Sequence, residues 1–487
     1  MNNFSLSIIA DKKIRRQIHL LERILEAPYP ISLEEIATEF DVSVRTLERD
    51  IAEIGNIDKE FVVQHKAVGY EIENTALIDD LLLDISEQSP LFVIVQSVYE
   101  EIYLTIDEWA DDLFLSSSAL YRYLSSLKNI LKDFNLKLSL TPVKIEGEEV
   151  DIRYFYFYFF YSTNDISPKY RPGQELFDIF QANYDFFIQN TDISVSLQHR
   201  SILYWTMIVN KRIEQGHYIK IPDEVKVKQK HSLTYVYIDK LAHEILTAAS
   251  TSAIPVDEII FLDMLILDNY MYREGVAGPI EERLYPFLTQ DLNLFVNDFF
   301  TKENLPRPSD ATLYIFIFYI RNILLLTQLT PLFQKNFFEV NQFVKTMHYP
   351  MFKKWMDAIS ASEIADFKKI KYAEDVCVNL TMFTLYAKNK DVNSMPHILF
   401  SFDGKTAYLN YLHMFVENFM GGNTEVTFSY NKHITNEFAN SLGVDLIVKN
   451  YKETSEDFDC QTYNTSRHPT TKDWDNIYHL ILAMQST

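Results

Sequence analysis

Cysteine is close to absent. Cys377 and Cys460 are the two in 487 residues and form no CxxC pair, which excludes a disulfide-stapled fold and a cysteine-built metal centre and fits a reducing, cytoplasmic compartment. Glycine (11) and proline (16) are scarce, while hydrophobic residues reach 47% and aromatics 14%; this balance excludes collagen-like and disordered chains and favours packed helices. Long uninterrupted apolar runs are also missing. The most apolar stretch, LYIFIFYIRNILLLTQLTPLF at 313–333, carries Arg321 and Asn322 near its middle and Pro331 near its end, so a buried bundle helix is expected there and no membrane span. RYFYFYFFYS at 153–162 is too short to span and is expected as a buried segment opening a domain. The N-terminus lacks the order of charge, apolar core and cleavage site of a signal peptide. No glycine-rich phosphate loop, HExxH, GxSxG or paired-cysteine motif occurs, so no enzymatic activity, metal or cofactor is expected. Positive charge is in deficit: 45 basic against 68 acidic residues give −23, which excludes indiscriminate polyanion binding but leaves local surfaces open.

What the chain does contain is length, helix and a repeat. At 487 residues it exceeds a single core, so a mainly α multidomain protein is expected. SLEEIATEFDVSVRTLERDIAEI at 32–54 aligns without gaps on TIDEWADDLFLSSSALYRYLSSL at 105–127, an offset of 73 residues. Ser32 pairs with Thr105 as a helix N-cap, Glu35 with Glu108 as the capping-box partner, Ser43 with Ser116 as the cap of a second helix, and Arg49 with Arg122. The first helices put Leu33, Ile36, Ala37 and Phe40, or Ile106, Trp109, Ala110 and Leu113, on one face. The second helices bury Val44, Leu47, Ile51 and Ile54, or Leu120, Leu124 and Leu127.

On a wheel of 3.6 residues per turn, Arg49 falls opposite the buried stripe with Arg45 and Thr46 beside it. In the second copy Arg122 is central, flanked by Ser118 and Ala119. Each pair is followed by a hairpin pattern, at 61–73 and 136–149. One such pair alone reads as an ordinary αα-hairpin in a core; two, with matched caps, turn, exposed arginine and wing, read as winged helix-turn-helix units. Residues 1–73 hold nine basic against fourteen acidic residues. A positioned patch, and not domain charge, sets affinity for phosphates; that patch is expected from Ser43, Arg45, Thr46, Arg49, Ser118 and Arg122, with Lys12, Lys13, Arg15 and Arg16 on the preceding helix. The partner implied is duplex DNA.

From about 165 to 390 the periodicity is helical. SLQHRSILYWTMIVNKRIEQGHYIKIP at 196–222 resembles, around Arg212, the phosphotransferase-system regulation domain (PRD), a helical bundle whose histidines receive phosphate from the sugar-uptake relay. That resemblance implies His199 as regulatory phosphoacceptor, with His217 and His243 as further candidates; His348 matches no phosphosite. After Met395-Pro396, strands HILFSF, TEVTFSY and VDLIVKN alternate with helices YLNYLHMFVENFM, ITNEFANSL and DWDNIYHLILAM, a small parallel α/β domain. It resembles an enzyme IIB domain of the sugar phosphotransferase system (PTS), with Ser401 where that domain's phosphorylated cysteine stands. A serine is un-ionised at neutral pH, so dimerisation or sensing is expected there in place of phosphoryl transfer.

In domain order and in the segments 31–54 and 105–127, the chain resembles the Mga/AtxA family of PRD-containing virulence regulators of Gram-positive bacteria. The resemblance implies two winged helix-turn-helix domains (1–75 and 76–162), two helical-bundle PRD-like domains (163–288 and 289–393) and a C-terminal EIIB-like domain (394–487). It implies a cytoplasmic, homodimeric transcription activator that binds promoter DNA and meets a PTS phosphocarrier protein transiently. The alternatives are an antiterminator-like RNA-binding PRD regulator and a sugar-transport phosphocarrier, the latter lacking its loop cysteine.

Overall fold

The computed structural model describes residues 3–9, 11–27, 30–57, 63–66, 69–72, 81, 84–85, 87–163, 170–190, 198–230, 235–246, 254–269, 286–336, 338–391, 396–420, 424–432, 434–451 and 458–485. They form two compact units, residues 1–295 with 314–378 and residues 296–313 with 379–487.

The first unit opens with α1 (Asn3–Ile8), α2 (Lys12–Glu26), α3 (Leu33–Glu39) and α4 (Val44–Ile57), then the hairpin of β1 (Val63–Lys66) and β2 (Gly69–Ile72). Asp11 caps α2 by accepting the N–H groups of Lys13 and Ile14, and Ser32 caps α3 by accepting that of Glu35. Ile31 and Tyr70 exchange both backbone hydrogen bonds, at 3.0 and 2.7 Å, so the chain entering α3 adds a bridge to the wing. Gly69 has φ of +154°, and a Cβ there would lie 2.5 Å from the Ile31 carbonyl carbon; the close approach requires glycine. Residues 61, 62, 67, 68 and 73 of the expected hairpin lie outside the described residues.

The second copy consists of α5 (Pro90–Tyr99), α6 (Ile106–Asp112), α7 (Ser117–Lys132), β3 (Lys137–Leu140) and β4 (Val143–Glu146). Its first helix, α5, has no counterpart in the sequence expectations. The copies agree at the turn. Val42 N–H donates to Ala37 O at 3.0 Å and Leu115 N–H to Ala110 O at 2.8 Å. The left-handed residues are Asp41 (φ 52°) and Phe114 (φ 53°), again 73 apart. Thr105 and Glu108 complete a reciprocal capping box; in the first copy the Ser32 half of it is present.

The aromatic run becomes α8 (Glu149–Ser162), buried nearly all round, as expected of a domain-opening segment. It packs against α10 (His199–Glu214), which follows α9 (Gln174–Asn190). The block continues through α11 (Asp223–Gln229), α12 (Tyr235–Leu246) and α13 (Val256–Asp268). A second series holds α14 (Pro286–Lys302), α15 (Asp310–Leu326), a 3₁₀ turn at Pro331–Gln334, α16 (Phe338–Met347), α17 (Tyr349–Ala361) and α18 (Ala373–Asp391). α15 is the buried helix expected at 313–333: Arg321 and Asn322 are buried, and the guanidinium lies 4.5 Å over the Phe318 ring. Among the described residues no helix is long and apolar enough to cross a membrane.

The second unit holds the only parallel sheet among the described residues, β5 (His397–Phe402), β6 (Glu425–Tyr430), β7 (Leu446–Lys449) and β8 (Gln461–Asn464), in the order β6-β5-β7-β8. The helices are α19 (Thr406–Met420), α20 (Asn436–Leu442) and α21 (Thr471–Gln485). Phe400 and Phe402 face Leu409, Val416 and Trp474, while Leu399 and Ile447 face Ala439 and Val444, so the buried centre strand is covered on both faces. Gly443 ends α20 at φ 64°. β8 is absent from the sequence expectations, because QTYN has no apolar alternation; Gly421 and Gly422, expected to end α19, lie outside the described residues.

Candidate nucleic-acid interface

On α4 the geometry follows from its cap. Ser43 Oγ accepts the Thr46 N–H at 3.2 Å and shares a 2.8 Å hydrogen bond with the Thr46 hydroxyl. One turn in, Arg45, Glu48 and Arg49 are exposed and Thr46 is half-buried beside them. Leu47, Asp50 and Ile54 form the opposite, buried side.

α2 lies along that buried side and takes up most of its own basic residues. Arg16 makes a double hydrogen bond to the fully buried Asp50, with Nη2 to Oδ1 at 3.0 Å. Lys13 pairs with Glu53 at 2.7 Å and holds that carboxyl below its ordinary range, and Gln17 donates to the same group at 3.0 Å. Arg15 donates to the Ile9 carbonyl at 3.1 and 3.2 Å. The expected cluster of Lys12, Lys13, Arg15 and Arg16 is therefore not delivered as a group to a shared outer surface. Asp50 and Glu53 project toward α2, so Lys13 and Arg16 become fasteners between helices, and Lys12 alone is exposed without an ion pair among the described residues.

α7 repeats the arrangement with different chemistry. Ser116 Oγ accepts the Ala119 N–H at 3.2 Å, and Ser117 Oγ donates to Asp107 Oδ1 at 2.8 Å. Ser118, Tyr121 and Arg122 are exposed. Phe114, in the turn before this helix, is 96% exposed. Helix periodicity gave no warning of it, since a turn residue belongs to neither apolar face.

The three expected histidines do not converge. His199 is the first residue of α10, half-buried, with its ring edge-on to Phe180 at 5.1 Å and Tyr184 at 4.8 Å, and burial lowers its pKa. His217 Nε2 lies 2.8 Å from Glu101 Oε1. His243 is exposed on α12, with Nδ1 2.7 Å from the Asp239 carbonyl one turn back. His348 precedes α17, half-buried, its pKa also lowered by burial.

The second copy is wired to both helical series. Gln215 donates to the Tyr99 carbonyl at 2.7 Å, and Lys211 pairs with Glu100 at 2.6 Å. Below them Arg153 sits fully buried between Glu149 at 2.9 Å and Glu258 at 2.6 Å, with Arg212 on Glu149 at 2.8 Å. At the far end, Thr330 Oγ1 donates to Asp151, which also accepts from Asn135 at 3.3 Å. The one sequence signal for these contacts was a charged residue, Arg153, at the head of an aromatic run.

In the terminal domain the Ser401 hydroxyl is buried and 2.7 Å from the Tyr451 hydroxyl. Asn450 and Asn431 tie down the following loop through the N–H groups of Asp403 and Gly404, at 2.8 and 2.9 Å. Cys460 is half-buried and its thiol pKa is raised, mainly by burial. Among the described residues no group of three His, Cys, Asp or Glu side chains could hold a metal ion.

Two capped helix pairs, each with a tight left-handed turn, an exposed polar second helix and a wing, define a tandem winged helix-turn-helix protein. Comparison with known proteins finds similar domains and relatives. Residues 74–160 match the Mga helix-turn-helix domain and residues 16–70 match an HTH domain. The chain is 21% identical to the capsule synthesis positive regulator AcpA of Bacillus anthracis over 81% of its length and 84% of that protein. It is 22% identical to the capsule synthesis positive regulator AcpB of the same organism, over 74% of this chain and 78% of the relative. A probable licABCH operon regulator of Bacillus subtilis (strain 168) is 22% identical over 53% of the chain and 44% of its own length. The similarity is to Mga/AtxA-like regulators, and each of these relatives is described as a regulator.

Proposed function

We propose that this chain is a transcription activator that binds promoter DNA through α4 and α7 and is controlled by PTS phosphorylation of histidine and by homodimerisation. The observation that carries the reading is the exposed face of α4, where Arg45, Thr46 and Arg49 stand opposite the buried Leu47 and Asp50. Arginine on such a face suits bidentate contact with phosphate or guanine. Ser43, Ser118 and Arg122 complete the surface, with Lys12 as a flanking phosphate contact. The sign of control follows the relatives described as positive regulators.

His199 is the favoured phosphoacceptor. Its neutral imidazole is partly accessible at a helix start, whereas His217 is engaged by Glu101 and His243 by its own helix. A phosphoryl group there would place anionic charge beside Phe180 and Tyr184 and disturb the packing of α9 on α10. The segments 163–288 and 289–393 are read as the two PRD-like domains, and 394–487 as the EIIB-like domain. Dimerisation through the last is supported by Tyr411 and Met414, exposed one turn apart on α19.

The test is promoter retention in a gel shift. The double exchange Arg45→Ala/Arg49→Ala should abolish retention with the circular dichroism spectrum unchanged; unaltered binding overturns the DNA face. Competition with hairpin RNA separates this reading from the antiterminator. Incubation with phosphorylated carrier protein should label the native chain and not His199→Ala, and equal labelling removes that site.

A further inference from the structure

We infer that one chain reads a single duplex through two unlike contact blocks at one fixed separation, because α4 and α7 are anchored in the same hydrophobic core. The inference rests on the DNA-binding reading above and adds the geometry of the partner: an asymmetric composite site, not a palindromic half-site.

The anchor is α2, which carries two apolar stripes. Leu20 and Ile24 point into the small core that the first copy keeps for itself with Leu33, Ile36 and Leu47. Ile14, Ile18 and Leu21, on another side, belong to the main core together with Leu120, Leu124 and Leu127 of α7. α4 is divided along its length in the same way. Leu47 lies in the first copy's core, and Ile54, two turns later, lies in the main one. The first copy's exposed helix thus has Ile54, near its C-terminal end, in the same extended core that holds α7.

Polar contacts fix what the apolar ones hold. Arg16 on Asp50, with Lys13 and Gln17 on Glu53, fastens α4 to α2. The Tyr123 hydroxyl of α7 lies 3.5 Å from Asp11, the cap of α2. Ile18, Leu21 and Ile54 are all completely buried, in the core that also holds Leu120, Leu124 and Leu127, so sliding or hinging one copy against the other would disturb a closed core. Two helix-turn-helix modules on a flexible tether would tolerate variable spacing, since the tether sets only an effective concentration. Two modules sharing one core present their helices at a fixed distance and phase. Half a helical turn of DNA, about 5 bp, would carry the second block to the opposite side of the duplex. The blocks differ because α4 offers Arg45, Thr46 and Arg49 where α7 offers Ser118, Tyr121 and Arg122.

The experiment enriches a random-sequence duplex library on the full-length protein and footprints the recovered sites. Two unlike blocks at a single separation are expected, with Arg49→Ala erasing one and Arg122→Ala the other. Inserting about 5 bp between the blocks should lower affinity at least tenfold, as much as scrambling one block. Blocks at varied separations, a single block, or an insertion that leaves affinity unchanged would each overturn the inference while leaving DNA binding intact. Failure to enrich any duplex would sink the DNA-binding reading itself, and this one with it.

Discussion

Lys335 Nζ donates a 2.9 Å hydrogen bond to the backbone carbonyl of Asp133, the C-cap of α7, across 202 residues of sequence. The ammonium also lies 5.3 Å over the Phe134 ring and 5.0 Å over that of Tyr372. A cation at the carbonyl end of a helix meets the negative pole of its dipole. The second helical series therefore holds α7 of the second copy at its C-terminal end.

Lys335→Met keeps the apolar stem and removes the donor and the charge. Loss of one charge-assisted hydrogen bond and of the ring contacts should cost about 1–3 kcal/mol, read as a lower urea midpoint. The local signature is faster amide hydrogen exchange over residues 130–136. Unchanged exchange there would show that the contact does not hold the helix end.

Arg153→Met leaves Glu258 fully buried with its charge unanswered; its remaining hydrogen bond comes from the Ile219 N–H, at 2.8 Å. Removing one partner of a buried pair costs about 3–5 kcal/mol. The double exchange Arg153→Met/Glu258→Gln keeps an acceptor for Ile219 without the charge and should recover much of that loss. Thermal melts of the three proteins decide it: equal melting temperatures for the single and double variants would refute the electrostatic account.

Gly69→Ala sets a methyl group within 2.5 Å of the Ile31 backbone, at a φ that side chains rarely adopt. The bridge between Ile31 and Tyr70 should open, costing about 1–3 kcal/mol locally. Faster exchange of the Tyr70 amide reports the opening. An unchanged amide would mean that the wing accommodates a side chain.

Acid should destabilise the His199 region. Burial holds this imidazole below its ordinary value, near 6.5 in model peptides, so the unfolded chain takes up a proton at a pH where the folded chain does not. The stability contributed by neutral His199 is complete above about pH 6.5 and is lost as pH falls through that value toward the lower folded-state pKa. His348 shifts in the same direction, also through burial. Melting temperatures at pH 7.5 and 5.5 should fall less for His199→Gln than for the native chain, and an equal fall would exclude this histidine as a contributor.

Local rules carried the repeat a long way. Caps, turn and helix faces recur 73 residues apart in sequence and again in hydrogen bonds, because each depends on residues within a turn or two of one another. What resisted was everything decided between segments. Nothing in KKIRR tells that Lys13 and Arg16 are spent on acids in α4, since that depends on how two helices cross. Phe114 and Lys335 escaped for the same reason: a turn residue and a lone lysine carry no periodicity. β8 escaped because an edge strand need bury neither face.

The two stripes of α2 also bear on how this region comes apart. The first copy keeps only a small core to itself and lends Ile14, Ile18, Leu21 and Ile54 to its neighbour. Cut free at the sequence boundary near residue 75, it would lose the larger part of the core to which those side chains belong. The region should accordingly melt as one cooperative body, and a lesion in either copy becomes a lesion in both.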